Sequence, residues 1–436
     1  MKKFLSICIA LVLLVSLIGC SDISSTTGKE SPSKGKGKSG TVELSLLTHY
    51  SAQQEKELKK YIDMWNKENP KIQVKHKSIA DFAQLLPTIM AQQTSGQTSD
   101  IVHVYSLWGG QLAKSNVLAQ PPKDVLDDIT QNYADSAIKG STVDGKVLGY
   151  PTEVQTYALF YNKKLLSEAG FDNPPKTWDE LKEMSKKITK KDKKGKVLKE
   201  GFGLTSGWDS AVVHPYLSLM ETAGGSFLNK DNTKAELSSE AGKKTLDFEQ
   251  SLIQEGVTDP SINVLKAFPS EKVAMTINAG WWNGSLKAAM KDRYKNVGVA
   301  PIPSPDGKTQ GSVSYSFFYG VNNRSAHKEE AWKFLNWLNS KPLDNKATPE
   351  SNFLLSQGII PGRTDDLTAL EKDLKTPNNQ PFIDALEYAT PEPNVLEGQK
   401  IKSTLQKEIE SVWSGKKKAD EAIQSASSQI DQELEK

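Results

Sequence analysis

Short apolar runs with strand character alternate with amphipathic helical segments from residue 42 to residue 105. The strand-like runs are 42–47, 72–76 and 101–105, and both intervals between them carry apolar residues at helical spacing. Strands that are joined by helices through loops of a few residues run parallel, because a parallel pair needs a crossover connection. The pattern therefore predicts an α/β fold with parallel strands and crossover helices.

The alternation continues over the rest of the chain. Further strands are predicted at 158–161, 273–277, 297–301 and 317–321, and further helices at 178 onward, 216–223, 242–254, 329–339 and 416–434. The lysine-rich run 186–199 is interpreted as a solvated helix end followed by a turn. Because 436 residues exceed what one ordinary core holds, we expect two domains.

Each of the first predicted strands is followed by a loop. Right-handed crossovers bring the loops at the carboxyl ends of parallel strands to one edge of the sheet, where open α/β proteins bind ligands. His49 and Tyr50 lie in the first of these loops and Asp81 lies in the second. These three residues are therefore candidate ligand contacts.

The first twenty residues have the pattern of an export signal. A basic start is followed by an apolar stretch at 4–18, which is too short for a comfortable membrane span. The next residues, Leu-Ile-Gly-Cys at 17–20, resemble the lipobox of bacterial lipoproteins, in which a small residue precedes an acylated cysteine. We predict a signal peptide over 1–19 and lipidation of Cys20; an ordinary secretory signal with a chance cysteine is the alternative.

Residues 20–40 are predicted to form a flexible tether behind the lipidated cysteine, because Ser, Thr, Gly and Lys dominate there. Its lysines are interpreted as part of a solvated linker, with contact to anionic lipid as the alternative. Cleavage before Cys20 would remove Cys8 and leave one cysteine, so neither a disulfide framework nor a cysteine-rich metal site is expected. The predicted location is outside the cytoplasm, anchored to the outer face of a bacterial cell membrane.

Net charge argues against nucleic acid as a partner. The whole chain has a formal net charge of +2, and residues 1–40 contain six lysines and two acidic residues, so the remainder carries −2. A protein that binds nucleic acid needs a strongly basic surface. Binding of nucleic acid is therefore not expected.

Sequence motifs that identify an enzyme are absent. The chain contains no Gly-x-Ser-x-Gly, no His-Glu-x-x-His and no Gly-x-x-x-x-Gly-Lys-Ser/Thr. Its five histidines lack the spacing of a metal site, so neither a metal nor another cofactor is predicted. A glycosidase that works with two carboxylates remains open, because the separation of two carboxylates is a property of the fold.

Three tryptophans stand at turn positions. Trp108 and Trp281 follow predicted strands and lie beside glycines, and Trp208 lies in the sequence Ser-Gly-Trp-Asp. A flat apolar face beside polar groups suits a sugar, whose C–H face stacks while its hydroxyls form hydrogen bonds. Packing in a core is the alternative for each of them. Tryptophans assigned to cores are Trp65, Trp178, Trp332, Trp337 and Trp413.

Residues 149–166 carry the most informative local pattern. An extended segment leads into an apolar run, Tyr161-Asn162 and the start of a helix. This order resembles the signature of family 1 of the extracellular solute-binding proteins of ABC importers: a small residue, two apolar residues, Tyr-Asn, then an apolar and a charged residue. Upstream the chain departs from the signature, because Thr152 and Glu153 stand where it has an apolar and then a small residue.

Four further segments are similar to segments of that family, which includes maltose-binding protein. They are Pro-Lys-Thr-Trp-Asp-Glu-Leu at 175–181, Met-Thr-Ile-Asn-Ala-Gly-Trp at 275–281, Gly-Val-Ala-Pro-Ile-Pro at 298–303 and Gly-Ile-Ile-Pro-Gly-Arg at 358–363. Trp281 matches a tryptophan that stacks on the sugar in maltose-binding protein. The resemblance covers essentially the whole chain after its leader.

The resemblance implies a two-lobed α/β fold of the periplasmic-binding-protein type, each lobe a mostly parallel sheet flanked by helices, with the ligand between the lobes. We expect an N-terminal lobe of residues 41–154 and 314–375 and a C-terminal lobe of residues 155–313 and 376–436. Closure of the lobes would capture a carbohydrate, an oligosaccharide, and present it to the permease of an ABC importer. The protein would act as a monomer and without catalysis.

The predicted ligand contacts combine the turn tryptophans with polar and aromatic residues near the ends of loops. They are Trp281, Trp108, Trp208, Gln155, Glu153, His49, Tyr50, Asp81, His214, Asn283, Tyr315 and Arg363. Alternation along a strand leaves open which of Glu153, Gln155 and Tyr157 faces the ligand.

Two alternatives remain for the function. One is a surface-anchored glycosidase with two unassigned carboxylates. The other is the same fold with a solute that is not a sugar, such as a glycerol phosphate or a polyamine. A phosphate would require basic side chains and helix N-termini at the cleft, and only Arg324 and Arg363 lie in suitable loops.

Overall fold

The structure of the protein is a computed structural model, and it describes residues 40–436. The predicted signal peptide, the tether up to residue 39 and the lipidation of Cys20 lie outside the described residues. The described part forms twelve strands and eighteen α-helices, in an order that alternates strands with helices along most of the chain.

The strands are β1 (Val42–Thr48), β2 (Ile72–Ser78), β3 (Ile101–Tyr105), β4 (Thr142–Val143), β5 (Lys146–Val147), β6 (Tyr150–Asn162), β7 (Lys190–Lys191), β8 (Val197–Phe202), β9 (Val273–Ala279), β10 (Val297–Ala300), β11 (Val313–Val321) and β12 (Thr390–Pro391). The helices are α1 (Ala52–Glu68), α2 (Leu85–Ser95), α3 (Gly109–Lys114), α4 (Lys123–Asn132), α5 (Asp135–Gly140), α6 (Lys163–Glu168), α7 (Trp178–Ile188), α8 (Asp209–Thr222), α9 (Glu240–Gln254), α10 (Val264–Ala267), α11 (Trp282–Met290), α12 (Lys328–Ser340), α13 (Pro349–Ser356), α14 (Thr364–Ala369), α15 (Glu371–Leu374), α16 (Gln380–Ala385), α17 (Gly398–Trp413) and α18 (Ala419–Leu434).

Ten of these strands form one sheet, whose main path runs in the order β2-β1-β3-β11-β6-β9-β8-β7. Strand β1 pairs in parallel with β2 and β3, and β8 pairs in parallel with β9. The predicted parallel pairing of the first three strands is thus confirmed. The long strands β11 and β6 lie in the middle of the sheet and are antiparallel to each other and to their outer neighbours.

Strand β6 is the element shared by the two halves of the molecule. Its residues 150–156 pair with β11, and its residues 157–161 pair with β9. The structure also places β12 beside the start of β11. The whole of β6 is buried except Tyr161, although several residues in its first half are polar. Only its second half was therefore visible as an apolar run.

Separate hydrophobic cores lie on either side of this shared region. In the first lobe, Leu44, Ile101 and Phe334 belong to one core that packs helices α1 and α12 on the sheet. In the second lobe, Leu246 and Ile277 belong to a core that gathers helices α7, α8, α9, α17 and α18. The predicted two-lobed α/β architecture is confirmed, and the predicted lobe boundaries in residue numbers stay a prediction.

The lysine-rich run 186–199 differs from its predicted solvated helix end and turn. Helix α7 ends at Ile188, and the run continues as an antiparallel hairpin of β7 and β8. The lysines of the hairpin point away from the core, while the following residues 200–202 are buried and pair with β9. The high lysine content therefore hid a strand, because only its last residues enter the core.

Local hydrogen bonds explain why two of the predicted helices begin where they do. Thr177 Oγ1 accepts from Glu180 N at 3.1 Å, and the Glu180 carboxylate accepts from Thr177 N at 3.2 Å. Ser51 and Gln54 form the same reciprocal arrangement at the start of α1. Such capping boxes satisfy backbone donors that a helix terminus leaves free. Within residues 40–436, no helix combines the length and the apolar character needed to cross a bilayer.

Candidate functional site

A cavity of about 190 Å³ lies against the middle of β6, where residues from both lobes meet. Its lining residues are His49, Tyr50, Gln54, Phe82, Tyr105, Glu153, Gln155, Tyr157, Trp208, Ser210, Trp281, Tyr315, Phe317 and Ile359. Aromatic rings dominate the walls, and a few polar groups interrupt them. This combination is typical of small-molecule sites, in which apolar walls supply contact and few polar groups fix the orientation.

Strand alternation decides which part of β6 faces the cavity. Glu153, Gln155 and Tyr157 stand at every second position, so they share one face, and all three line the cavity. The intervening Val154 lines a crevice on the opposite face, and the Thr156 hydroxyl donates to Phe382 O at 2.9 Å. All three residues therefore face the cavity, and their contact with a ligand stays a prediction.

The side-chain amide of Gln155 has one partner. Its Oε1 accepts from the backbone N–H of Trp281 at 3.1 Å. Its Nε2 is buried and has no hydrogen-bond partner. This N–H group is therefore available for an acceptor oxygen of a ligand. Such an acceptor would be favourable, because an unpaired buried donor costs stability.

Trp281 lies directly after β9, at the point where the chain turns into α11. Its ring is only partly buried and lines the cavity, whereas the neighbouring Trp282 is 2% exposed. The ring of Trp282 packs instead on Phe160 and Phe268, with centroid distances of 5.0 and 5.1 Å. Of the adjacent pair, one tryptophan therefore serves the core and the other offers its face to the cavity.

Stacked rings form the wall on the side of the first lobe. His49 stacks on Phe317 with centroids 4.8 Å apart, and His103 stacks on the same phenylalanine at 4.9 Å. Burial lowers the pKa of His49 to about 4 and lowers the pKa of His103 well below its usual value. Both imidazoles are therefore neutral at physiological pH, and the wall carries no positive charge.

Glu153 brings a carboxyl group into this aromatic surrounding. It is 3% exposed, its Oε2 accepts a hydrogen bond from the Thr152 hydroxyl, and that oxygen lies 3.9 Å from His103 Nε2. Burial raises the pKa of Glu153 to about 7, because the charged form is poorly solvated there. Near neutral pH the carboxyl can therefore either donate or accept a hydrogen bond.

A buried polar network supports one end of the cavity. The ammonium group of Lys402 lies 2.8 Å from each of Glu392 Oε1, Tyr105 Oη, Ser210 Oγ and His214 Nε2. The Tyr105 hydroxyl also donates to the Glu392 carboxylate. These contacts connect β3, α8 and α17 with the segment after β12. Tyr105 and Ser210 are thereby fixed where they line the cavity.

The structure brings seven of the twelve predicted contacts together at the cavity. They are Trp281, Trp208, Gln155, Glu153, His49, Tyr50 and Tyr315. The other five, Trp108, Asp81, His214, Asn283 and Arg363, do not line it.

Trp108 and Arg363 are occupied by contacts within the protein. The Trp108 ring is buried, stacks on Phe82 at 4.9 Å and donates its indole N–H to Gln399 Oε1 at 2.9 Å. The Arg363 guanidinium donates two hydrogen bonds to Asp128, at 2.9 and 3.1 Å. The packing of Trp108 therefore matches the alternative stated for it, that of a residue buried in a core.

The remaining three residues also have structural partners. The exposed Asp81 accepts from Ala83 N at 3.2 Å and caps a short turn. His214 belongs to the buried network and stacks behind Tyr315, at a centroid distance of 5.3 Å. Asn283 lies in a separate crevice, where its amide N–H₂ donates to Asn378 O at 3.2 Å.

Six lining residues were missed by sequence reasoning, and Tyr157 was named only among the three β6 residues whose direction was left open. The six are Gln54, Phe82, Tyr105, Ser210, Phe317 and Ile359. Phe82 and Tyr105 stand beside predicted loops, so the rule that favours loop ends could have found them. Phe317 lies on β11, and only the pairing of β11 with β3 and β6 shows that it faces the cavity.

Comparison with known proteins identifies the family. Residues 51–343, more than half of the chain, match the family model described as bacterial extracellular solute-binding protein. The arabinooligosaccharide-binding protein of Bacillus subtilis is 23% identical over 363 residues, which are 79% of this chain and 78% of that protein. The galactooligosaccharide-binding protein of the same organism is 26% identical over 329 residues, 70% of this chain and 71% of that protein.

Solved structures share the fold. The GacH receptor of Streptomyces glaucescens, solved without ligand and with acarbose, has a TM-score of 0.80 at 23% identity, covering 91% of this chain and 99% of that chain. The maltose/maltodextrin-binding domain of Bdellovibrio bacteriovorus, bound to maltotriose, has a TM-score of 0.77 at 24% identity, covering 91% and 100%. The chain shares its fold with these structures, has a cavity between two lobes and matches the family model over most of its length. This protein therefore belongs to the bacterial extracellular solute-binding proteins.

Proposed function

We propose that this protein is a carbohydrate receptor of an ABC importer, which captures an oligosaccharide end in the cavity at β6 and presents it to a membrane permease. The observation that carries the proposal is the pairing of an available aromatic face, Trp281, with the unpartnered buried donor of Gln155. A sugar ring needs both, because its C–H face stacks while its hydroxyl oxygens accept hydrogen bonds.

The names of the relatives support a carbohydrate ligand. The two Bacillus subtilis proteins bind, by name, arabinooligosaccharide and galactooligosaccharide, and the two compared structures hold acarbose and maltotriose. In this proposal the contacts to the sugar are Trp281, Trp208, Gln155, Glu153, His49, Tyr50 and Tyr315. Tyr105 and Tyr157, which also line the cavity, complete them.

The number of carboxyl groups that line the cavity argues against glycoside hydrolysis at this site. Among residues 40–436, Glu153 is the one acidic residue that lines the cavity. Most glycosidases need a pair of carboxyl groups that flank the scissile bond. We therefore propose capture without catalysis, by rearrangement of the lobes about β6 and β11.

The predicted leader completes the proposal. Acylation of Cys20 would tether the receptor to the outer face of the cell membrane, through residues 20–40 and close to its permease. A Cys20→Ala variant should appear in the culture medium instead of the membrane fraction. Retention of that variant in membranes, at the level of the unchanged protein, would contradict a lipid anchor at Cys20.

A thermal-shift screen against oligosaccharides of different sugars, lengths and linkages tests the function. A ligand that binds only the native state raises the melting temperature by mass action. We expect one class of oligosaccharide to raise it, and chromatography of the same mixtures should show unchanged sugar. Stabilisation by phosphorylated solutes alone, or conversion of the sugar into products, would refute the proposal.

A further inference from the structure

One buried carboxyl group lines the cavity, that of Glu153, and the buried carboxyl group of Glu350 lies close enough for their charges to interact; neither has a basic partner among the residues that the structure describes. Glu153 lines the cavity, and Glu350, at the start of α13, is 2% exposed. Among residues 40–436, no lysine or arginine lines this cavity. The protein itself therefore supplies no cation to these two acids.

The groups packed around Glu153 do not compensate its charge either. They come from four further elements or loops: His49, Tyr50, His103, Tyr315, Tyr319 and Glu350. Burial lowers the pKa of both histidines and raises the pKa of the three tyrosines, so all five are uncharged near neutral pH. Burial, and next the charge of Glu153, raise the pKa of Glu350. What this end of the cavity lacks is a positive charge.

The aromatic walls of the cavity also favour a positively charged ligand. The faces of tyrosine, tryptophan and phenylalanine rings carry negative potential and attract cations placed over them. Eight such rings line the cavity, contributed by Tyr50, Phe82, Tyr105, Tyr157, Trp208, Trp281, Tyr315 and Phe317.

The size of the cavity limits how much of a ligand it holds. Its volume of about 190 Å³ is small beside the ~300–1,000 Å³ of ordinary ligand pockets, so it admits one ring of a sugar chain.

We propose that the ring bound in this cavity is an amino sugar, whose protonated amino group lies against the carboxylate of Glu153 and between the aromatic faces. This inference rests on the proposed carbohydrate receptor function and specifies the substrate class of the same site. The ammonium group is the counter-charge that Glu153 lacks, and the ring stacks on Trp281 while Gln155 Nε2 donates to one of its oxygens.

The proposal has a thermodynamic consequence that should be larger for an amino sugar than for a neutral sugar. In the free protein Glu153 is largely protonated at about pH 6, because its pKa is about 7. An ammonium group placed beside it favours the carboxylate, so the Glu153 proton passes to the buffer on binding. A neutral sugar hydroxyl that donates to Glu153 favours the carboxylate less than a full positive charge does, so proton release should be larger with the amino series than with its deaminated counterpart.

Calorimetric titration in two buffers with different ionisation enthalpies measures the sign of this proton transfer. The probes are monomers to tetramers of glucosamine, galactosamine and mannosamine, each with its N-acetylated and its deaminated counterpart. We expect one amino series to bind the unchanged protein at least about tenfold more tightly than its two counterparts, with net proton release at about pH 6.

Glu153→Gln should keep the fold, since a neutral isostere removes a buried charge. It should reduce the preference for the amino series to less than about twofold and abolish the proton release. Glu183→Gln, at an exposed glutamate on α7, is the matched control and should change neither quantity. The buffer comparison on the unchanged protein needs no variant, so poor folding of Glu153→Gln would not remove the test.

The outcomes separate this inference from the receptor function. Tight binding of neutral or N-acetylated sugars, with no proton release and no effect of Glu153→Gln, would overturn the inference and leave the receptor function intact. If neither these probes nor the oligosaccharides of the thermal-shift screen bind, both proposals fail. Binding of the amino series with the same affinity and proton release in Glu153→Gln would place the counter-charge elsewhere and overturn the assignment to Glu153.

Discussion

The backbone N–H of Trp281 donates a 3.1 Å hydrogen bond to Gln155 Oε1 and so fixes the side-chain amide of Gln155 with its Nε2 free. The two residues are 126 positions apart in sequence; Gln155 lies within β6, and Trp281 follows the end of β9. One contact thus sets the positions of the stacking face and of the hydrogen-bond donor relative to each other. A ligand that uses one of these groups is placed to use the other.

Trp281→Ala should weaken sugar binding by about thirtyfold or more, since a buried aromatic contact in a binding site contributes about 2 kcal/mol or more. The variant should melt close to the unchanged protein, because the Trp281 ring is only partly buried. Trp282→Ala is the matched control: its ring fills the core beside Phe160, so its loss should cost about 3–5 kcal/mol of unfolding free energy. Calorimetric binding and chemical denaturation of both variants measure the two effects. The reverse pattern would exchange the roles of the two tryptophans.

Gln155→Leu should reduce sugar affinity by about ten- to a hundredfold, because it removes the free donor and leaves the Trp281 N–H without its acceptor. Gln155→Glu keeps the acceptor for Trp281 but loses the donor, so its affinity for a neutral sugar should also fall. Thr156→Val is the neighbouring control on the other face of β6 and should leave affinity unchanged. Equal losses in all three variants, measured by calorimetry, would mean that β6 acts through its fold alone.

Lys402→Met should destabilise the protein by about 3–5 kcal/mol, because it leaves the buried carboxylate of Glu392 without its counter-charge. Lys400→Met removes a lysine from the same helix, but that lysine is exposed and pairs with Glu433, so little change is expected. Urea denaturation of both variants gives the comparison. A Lys402→Met loss below about 1 kcal/mol would show that the network is not a major source of stability.

Glu249→Gln should stabilise the protein more at about pH 9 than at about pH 5. Burial raises the pKa of Glu249 to about 8, above its value of about 4.5 in an unfolded chain. The stability that the neutral acid contributes is therefore complete below about pH 4.5 and is lost as the pH rises through 8. Glutamine keeps the acceptor for the Trp413 indole N–H and does not ionise. Thermal melts at the two pH values measure the difference.

The exposed Glu255 is the control for this pH effect. Hydrogen bonds from Lys182 and Lys186 lower its pKa, so it stays ionised at both pH values. Glu255→Gln should therefore shift the melting temperature by the same small amount at about pH 5 and about pH 9. A pH-dependent shift in Glu255→Gln of the size seen in Glu249→Gln would show that burial is not its cause.

Sequence patterns predicted the architecture well because the first lobe follows simple rules. The strands around Leu44, Val74 and Val104 are short, apolar and separated by amphipathic helices, so type and pairing were both visible. Strand β8 was missed because Lys199 and its neighbours hid the buried residues that follow. The extent of β6 and β11 could not be read from local pattern either, since buried polar residues such as Thr156 and Ser314 interrupt their apolar runs.

The candidate site was only partly predictable, and Trp108 and Trp281 show why. Both follow a strand beside glycine, so the local sequence treats them alike. A partner 291 positions away, Gln399, binds the indole N–H of Trp108 and helps to bury it, and no local pattern reveals such a contact. Glu153, in contrast, was detectable as a departure from the family signature. Only the structure shows that it has no basic partner in the described part of the chain and that its charge meets that of Glu350.

Calorimetric titration of the unchanged protein and of Trp281→Ala with an oligosaccharide panel tests the central claim most directly. The claim is that the cavity at β6 captures a carbohydrate through an aromatic face and the amide of Gln155. We predict saturable binding of one oligosaccharide class to the unchanged protein and at least about thirtyfold weaker binding to Trp281→Ala. Equal affinity of the two proteins for the same sugar, or saturable binding of non-carbohydrate solutes alone, would contradict it.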